Sequence, residues 1–477
     1  VNADAFDRFG ATVSIDGDTL AVGRPHNDDS SSREYAGEVW MYARDTPGDR
    51  TSSWSLVQIV RAPDGVAGDF FAGSLDLDGD TLAVGAKWNE PHGTVTNAGS
   101  VYVFTRSVAG VPSSLWTFRQ KLQSPTREEE DNFGFAVAVD GDVVVVSALN
   151  RDSSADGTQS GNLRTGIDIG SVFVFARATA GDRTSEFVLL DRLENPYALD
   201  EEGFGATVAV DGDVLVATTE AETAYSEGND WFCPVAYVFV RVEVGVTHSR
   251  WAFKTGLLLD ACDTSRFGNS TDPKPVAVYG DVIVVGAPNH EHIEVDPDGN
   301  SFTHDEAGQA YVFTRDDPGD VNSEWSQAAT LTAEVFNRGD NFGVSVGVWN
   351  ENIAVGASAK DEHSTWNEDV AADSTGTDED HGAVYLFQQS YNDLTGGTSW
   401  ELVVRFVPSG DDTNQGFFGT SLALDRDGLA VGTDVADGVA GAAYVFALPE
   451  VVDDVVDVTT DATDATNATS ATNATDA

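Results

Sequence analysis

A tight Asp-Gly hairpin between two valine-rich runs recurs along this chain, and the recurrence constrains the fold more than any other feature. The clearest copy is Asp131-Asn-Phe-Gly-Phe-Ala-Val-Ala-Val-Asp-Gly-Asp-Val-Val-Val-Val-Ser147, followed later by Gly170-Ser-Val-Phe-Val-Phe175. An Asp-Gly pair between two such runs signals a two-residue hairpin, because a type I′ turn needs positive φ at both central residues. The spacing therefore predicts a hairpin centred on Asp140-Gly141, a loop, and an aromatic third strand.

The unit occurs seven times. Its opening aromatic is Phe9, Phe71, Phe133, Phe204, Phe267, Phe342 and Phe418, recurring roughly every 60 to 75 residues. Repeats start near residues 6, 68, 131, 202, 265, 340 and 415. The turn recurs as Asp16-Gly17, Asp78-Gly79, Asp140-Gly141, Asp211-Gly212 and Gly280-Asp281, then drifts to Asn350-Glu351 and Asp425-Arg-Asp-Gly428. The third strand carries paired aromatics such as Tyr102/Phe104, Phe173/Phe175 and Tyr385/Phe387, and a fourth starts at Trp54, Trp116, Phe187, Trp251, Trp325 and Trp400.

Four antiparallel strands repeated seven times are what an all-β, seven-bladed β-propeller requires. Separate domains of one repeat each would bury too little core. The aromatics are expected between blades, filling the wedge between twisted sheets. In these motifs the repeats resemble FG-GAP repeats, as in the integrin α-subunit head, over residues 6–448. That resemblance implies a propeller over 1–448 and a separate tail over 449–477. In integrin-type repeats, calcium sits in the first hairpin, in a carboxylate-rich loop of roughly nine residues. Asp76-Leu-Asp-Gly-Asp80 looks like such a loop, but its hairpin is too short to wrap calcium in six or more oxygens, so those sites are not carried over. A better calcium candidate is Asp296, Asp298, Asn300, Asp305 and Glu306, where oxygen ligands alternate around a glycine in a long loop. A plain acidic loop is the competing reading.

The chain carries 79 acidic against 26 basic residues, a formal net charge of −53. Such a field repels nucleic acid and anionic membranes. No apolar run is long enough to span a membrane. The absence of an initiator Met and a signal peptide fits a processed chain. Cys233 and Cys262 flank the last two strands of repeat four, and a disulfide between them is expected, hence an oxidising, extracellular or cell-surface setting. Asn269, Asn467 and Asn473 head N-glycosylation acceptors. The Thr/Ala/Asp triplets of the tail offer Thr459, Thr460, Thr463, Thr466, Thr469, Thr472 and Thr475 for O-glycosylation.

The loops between second and third strands vary most in length and share a face with the blade-to-blade connections. Long loops on a rigid scaffold are where binding concentrates. His290 and His292 lie in one of them, yet spacing supplies no third or fourth metal ligand. No nucleophile elbow, HExxH or phosphate loop is present, and no acid/base pair stands out among the histidines and lysines. Repeat seven lacks a proper fourth strand, so residues 451–458 either close its edge or leave it open to another chain. The expectation is a non-enzymatic, secreted glycoprotein serving a structural or adhesive assembly, a filament subunit joined through its tail, with self-association or an extracellular protein or glycan as partner. A monomeric ligand- or glycan-binding module and a polysaccharide-acting lyase or hydrolase stay open beside it.

Overall fold

The computed structural model describes residues 7–26, 35–90, 96–151, 169–196, 203–219, 225–227, 230–232, 234–258, 275–295, 301–304, 306–335, 337, 339–360, 381–392, 397–407, 417–433, 441–448 and 456–459. It is a seven-bladed β-propeller of antiparallel blades, and the described residues contain no helix. Blade two shows the pattern: Phe71–Asp78, Thr81–Ala86, Ser100–Arg106 and Trp116–Leu122, paired in chain order. Blades one and three to six repeat it, while blade seven contributes Phe418–Leu424, Leu429–Thr433 and Ala442–Phe446. The first strand of each blade packs beside the first strands of its two neighbours, so these strands ring the central axis. The second and third strands of blades one to three are buried along their whole length. The fourth strands of blades one to three are buried at both ends and largely exposed or half-buried between them, as outer edges.

The core lies between blades, as the aromatic pattern predicts. One cluster joins Met41 and Val60 of blade one to Phe71, Tyr102, Phe104 and Trp116 of blade two. In blades two, three, four, six and seven the fully buried opening phenylalanine packs against the third-strand aromatics, edge-on with ring centroids 5.6 Å apart for Phe71 and Tyr102 and 5.7 Å for Phe204 and Tyr237. Blades are also knit by main chain. Gly99, ahead of the third strand of blade two, bridges Phe133 of blade three. A Cβ on Gly99 would stand 2.1 Å from the Phe133 carbonyl oxygen, and its φ is +78°, so only glycine fits.

Two details differ from the sequence reading. The turn of blade three is centred one residue later than expected, because Asp140 pairs with Val143 and leaves Gly141-Asp142 as the central residues. Gly141 has φ +53° and Asp142 is not among the residues with positive φ, so a type I′ turn is excluded. A glycine at the first central position with a left-handed φ is the type II′ requirement. Asp140 thus belongs to the strand, with its carboxylate available to another blade. The second difference concerns the tail. Val456–Thr459 neither closes blade seven nor lies free: it runs parallel to the outer strand of blade six, Gly397–Val407, with Val404 opposite Val456 and Val407 opposite Thr459.

The third and fourth strands carry a register shift at the same place in each of blades one to six, for example at Val103/Phe104 and Val312/Phe313. The extra residue lies on the fourth strand, opposite the step into the second aromatic, and increases the local twist of that outer strand.

Candidate functional site

The two faces of the propeller are built from different chemistry. One face carries the tight turns and the loops between third and fourth strands. There the carboxylate preceding each turn accepts the amide of the turn glycine in the next blade: Asp16 from Gly79 at 2.8 Å, Asp78 from Gly141 at 2.7 Å, Asp140 from Gly212 at 2.9 Å and Asp211 from Gly280 at 2.6 Å. Asp425 does the same for Gly17 and closes the ring between blades seven and one. The links fail where the turn chemistry drifts. Blade five has Tyr279 in place of the aspartate and blade six has Trp349, and these rings pack at 5.9 Å.

Close-set, poorly solvated carboxylates resist ionisation. Burial pushes Asp140 up to about 6, with Asp78 and Asp211 adding repulsion. Burial likewise raises Asp78 and Asp425. Asp76, inside the blade junction, is pushed up to about 6 by burial although it accepts from Val139, Leu77 and Ser14. The carboxylates of Asp76-Leu-Asp-Gly-Asp80 are therefore committed to protein donors.

The carboxylate that follows each turn glycine has a second task. Asp18, Asp80, Asp142, Asp213 and Asp281 pair with Arg44, Arg106, Arg177, Arg241 and Arg315, with Nε–Oδ1 distances of 3.0–3.3 Å. Each guanidinium lies over the aromatic that opens the fourth strand, 4.4–5.0 Å from the centroid of Trp54, Trp116, Phe187, Trp251 or Trp325. Several also reach back across the junction: Arg177 donates to Thr81 at 2.7 Å, and Arg106 donates to Thr19. These arginines were not singled out from the sequence. A signal was there, since an arginine precedes the aromatic at one constant spacing in five repeats. This face is a structural clasp.

The other face bears the first-strand starts and the long loops after the second strands. Two buried ion pairs anchor those loops: Asp131 with Arg151 at 3.1 Å and Asp340 with Lys360 at 2.7 Å, all four side chains within 4 % of full burial. Burial pushes Asp131 up to about 6 despite Arg151. At the junction of blades one to three, aromatic side chains gather. His26 meets Tyr35 and Phe70 edge-on at 4.9 and 5.1 Å, and Phe70 meets Trp88 at 4.6 Å. The Lys87 ammonium stands 5.0, 5.2 and 4.5 Å from the centroids of Phe70, Trp88 and Phe135.

Of the calcium candidates, Glu306 is described: it is exposed, has φ +56°, and its carbonyl accepts the Asn341 amide at 3.0 Å. Asp296, Asp298, Asn300 and Asp305 lie outside the described residues, as do Cys233, Cys262, Asn269, Asn467, Asn473 and the tail threonines beyond Thr459. His290 is buried and His292 stands opposite His304 across the hairpin His292–Val295/Ser301–His304. Among the described residues no cluster of three or more His, Cys, Asp or Glu is placed to hold a metal. Nor is any helix there long and apolar enough to cross a membrane.

Blade count, the Phe-Gly opening and the hairpin chemistry define a repeat propeller. Residues 2–42, 54–104, 116–175, 325–387 and 400–446, more than half of the chain, match the FG-GAP repeat family, and the chain belongs to it. No curated protein matches by sequence. Among solved structures the chain is similar to Sqt1 of Chaetomium thermophilum bound to the N-terminus of ribosomal protein L10, with 14% identity, 94% of this chain and 88% of that one covered, and a TM-score of 0.42. It is also similar to Hsv2 of Kluyveromyces lactis, at 10% identity, 83% and 98% coverage and a TM-score of 0.32. The endosialidase of phage phi92 follows at 10% identity, 95% and 69% coverage and a TM-score of 0.39. At these values no functional argument passes from them to this chain.

Proposed function

We propose that this chain is a non-enzymatic, secreted glycoprotein that acts as a structural or adhesive subunit of an extracellular or cell-surface assembly, its copies joined by their C-terminal strands. The observation that carries the reading is the tail strand. Val456–Thr459 is added to the outer edge of blade six, and Ala442–Phe446 of blade seven has no fourth strand beside it among the described residues. An edge that accepts the tail of its own chain accepts the identical tail of another, because exchange preserves every main-chain bond. Successive exchange in one direction is a heterologous contact and propagates unless it closes into a ring.

The charge supports an extracellular, salt-rich setting and disfavours polyanionic partners. The tail composition, with its Asn-Ala-Thr acceptors, supports glycosylation. The test is the solution mass by light scattering of the full chain and of a chain ending at Leu448. The full chain should be oligomeric or polymeric and the shortened one monomeric, with unchanged far-UV circular dichroism. A strictly monomeric full chain in native salt would overturn the reading.

A further inference from the structure

The aromatic cluster of blades one to three departs from the repeat pattern in a way that packing alone does not require. Among the described residues, the one before the opening phenylalanine adopts a left-handed φ: +56° at Arg8, +59° at Gly203, +64° at Phe417, and +52° and +54° at Asn132 and Asn341, where asparagine tolerates it best. In blade two that position is Phe70, at +57°. Two residues before the glycine that precedes the third strand, blade two has Asn97 at +50° and blade one has Tyr35 at +58°. Bulky aromatics are poorly suited to that region.

Blade two also inverts its Phe-Gly signature. Ala72 takes the glycine's place with φ +69°, and the glycine moves to Gly73. The shift makes room for the ring, since a Cβ on Gly73 would stand 2.4 Å from Cδ1 of Phe70. Three unfavourable backbone choices thus converge on one junction: Phe70, Ala72, and Tyr35, whose carbonyl accepts the Phe70 amide at 3.1 Å. Above it, Tyr35 and Trp88 remain 45 % and 39 % exposed. Strain that secures a half-exposed aromatic group points to a ligand.

We propose that Tyr35 and Trp88, backed by the buried Phe70 and flanked by His26, Lys87 and Phe135, form a platform for a neutral hexopyranose glycan. A pyranose ring pairs an apolar C–H face with a rim of hydroxyls. Here exposed ring faces offer stacking area and the phenol, indole N–H and ammonium supply polar edges beside them. The chain's charge of −53 selects against acidic sugars. The site gives the adhesive face a ligand class and is independent of the tail strand.

The test is titration of the full chain, followed by tryptophan fluorescence and calorimetry, with the neutral probes cellohexaose, mannohexaose, laminarihexaose and chitohexaose, and with a hexagalacturonate as acidic comparator. At least one neutral probe should bind. Trp88→Ala and Tyr35→Ala should each weaken it tenfold or more. Phe70→Asn installs the residue that blades three and six use at this φ; it should melt no lower than the parent and still lose binding. The proposal is overturned if no neutral hexamer binds, if hexagalacturonate binds better, or if all three variants keep the parent affinity. A tail-truncated chain should bind unchanged, which separates a failure here from a failure of strand exchange.

Discussion

The carboxylate of Asp78 in blade two accepts the amide of Gly141 in blade three at 2.7 Å, and the same bond recurs around most of the ring. A turn residue of one blade is thereby held by the neighbouring blade. Turn and ring geometry are one problem.

Gly141→Val should destabilise the chain by about 1–3 kcal/mol, because a β-branched residue at φ +53° is strained. Nothing lies within 4 Å of its missing Cβ, so the loss would come from the backbone and not from a clash. Chemical denaturation measures it; an unchanged midpoint would refute the turn geometry.

Stability should rise as pH falls from 7.5 to about 5. Asp76 and Asp140 are raised to about 6, above the unfolded value, so the native state holds protons that the unfolded state has lost in that window. Unfolding then becomes harder on acidification until the pH reaches the ordinary carboxylate range. Relief of repulsion among the excess acids acts in the same direction. Asp140→Asn keeps an acceptor for Gly212 and should melt higher than the parent at pH 7.5, on the order of 1–3 kcal/mol. The two should converge near pH 4.5. Equal melting curves at both pH values would show that Asp140 titrates normally.

Lys360→Met leaves the buried carboxylate of Asp340 without its cation and should cost about 3–5 kcal/mol. Pairing it with Asp340→Leu should recover most of that loss, because two apolar groups leave no isolated charge. A double variant as unstable as the single one would mean that the pair is valued for its hydrogen bonds, including that from Lys360 to the Val335 carbonyl.

Non-reducing mass spectrometry should find Cys233 and Cys262 joined. Alkylation of both without reduction would remove the main support for an oxidising compartment.

Blade number, strand order and the inter-blade core were legible because a short hairpin followed by an aromatic third strand, repeated seven times, is the pattern of a propeller. The turn's exact centre was not, since Asp140-Gly141 and Gly141-Asp142 are both acceptable central pairs by residue type. What decides between them is a bond to another blade, which no local pattern contains. The guanidinium clasps escaped notice for a related reason: Arg241 and Trp251 read singly as a charged edge and a core anchor. The tail's edge was not legible, because in the sequence the open edge belongs to repeat seven, which lacks a fourth strand. Strand pairing depends on reach and register, and Val456 finds Val404 in blade six. The aromatic platform was invisible because its marks are exceptions to the repeat, Phe70, Ala72 and Gly73, which carry meaning only once φ is known.

Strand exchange is tested most directly by single cysteines at facing positions of the tail pairing. Arg405 stands opposite Asp457. Mixing a chain carrying Arg405→Cys with a chain carrying Asp457→Cys, followed by mild oxidation and peptide mass spectrometry, reports whether a tail pairs with another copy. The account requires a disulfide between the two different chains, joining residues 405 and 457 and formed in the mixture. A crosslink that forms when both cysteines are on one chain, and never between chains, would contradict it.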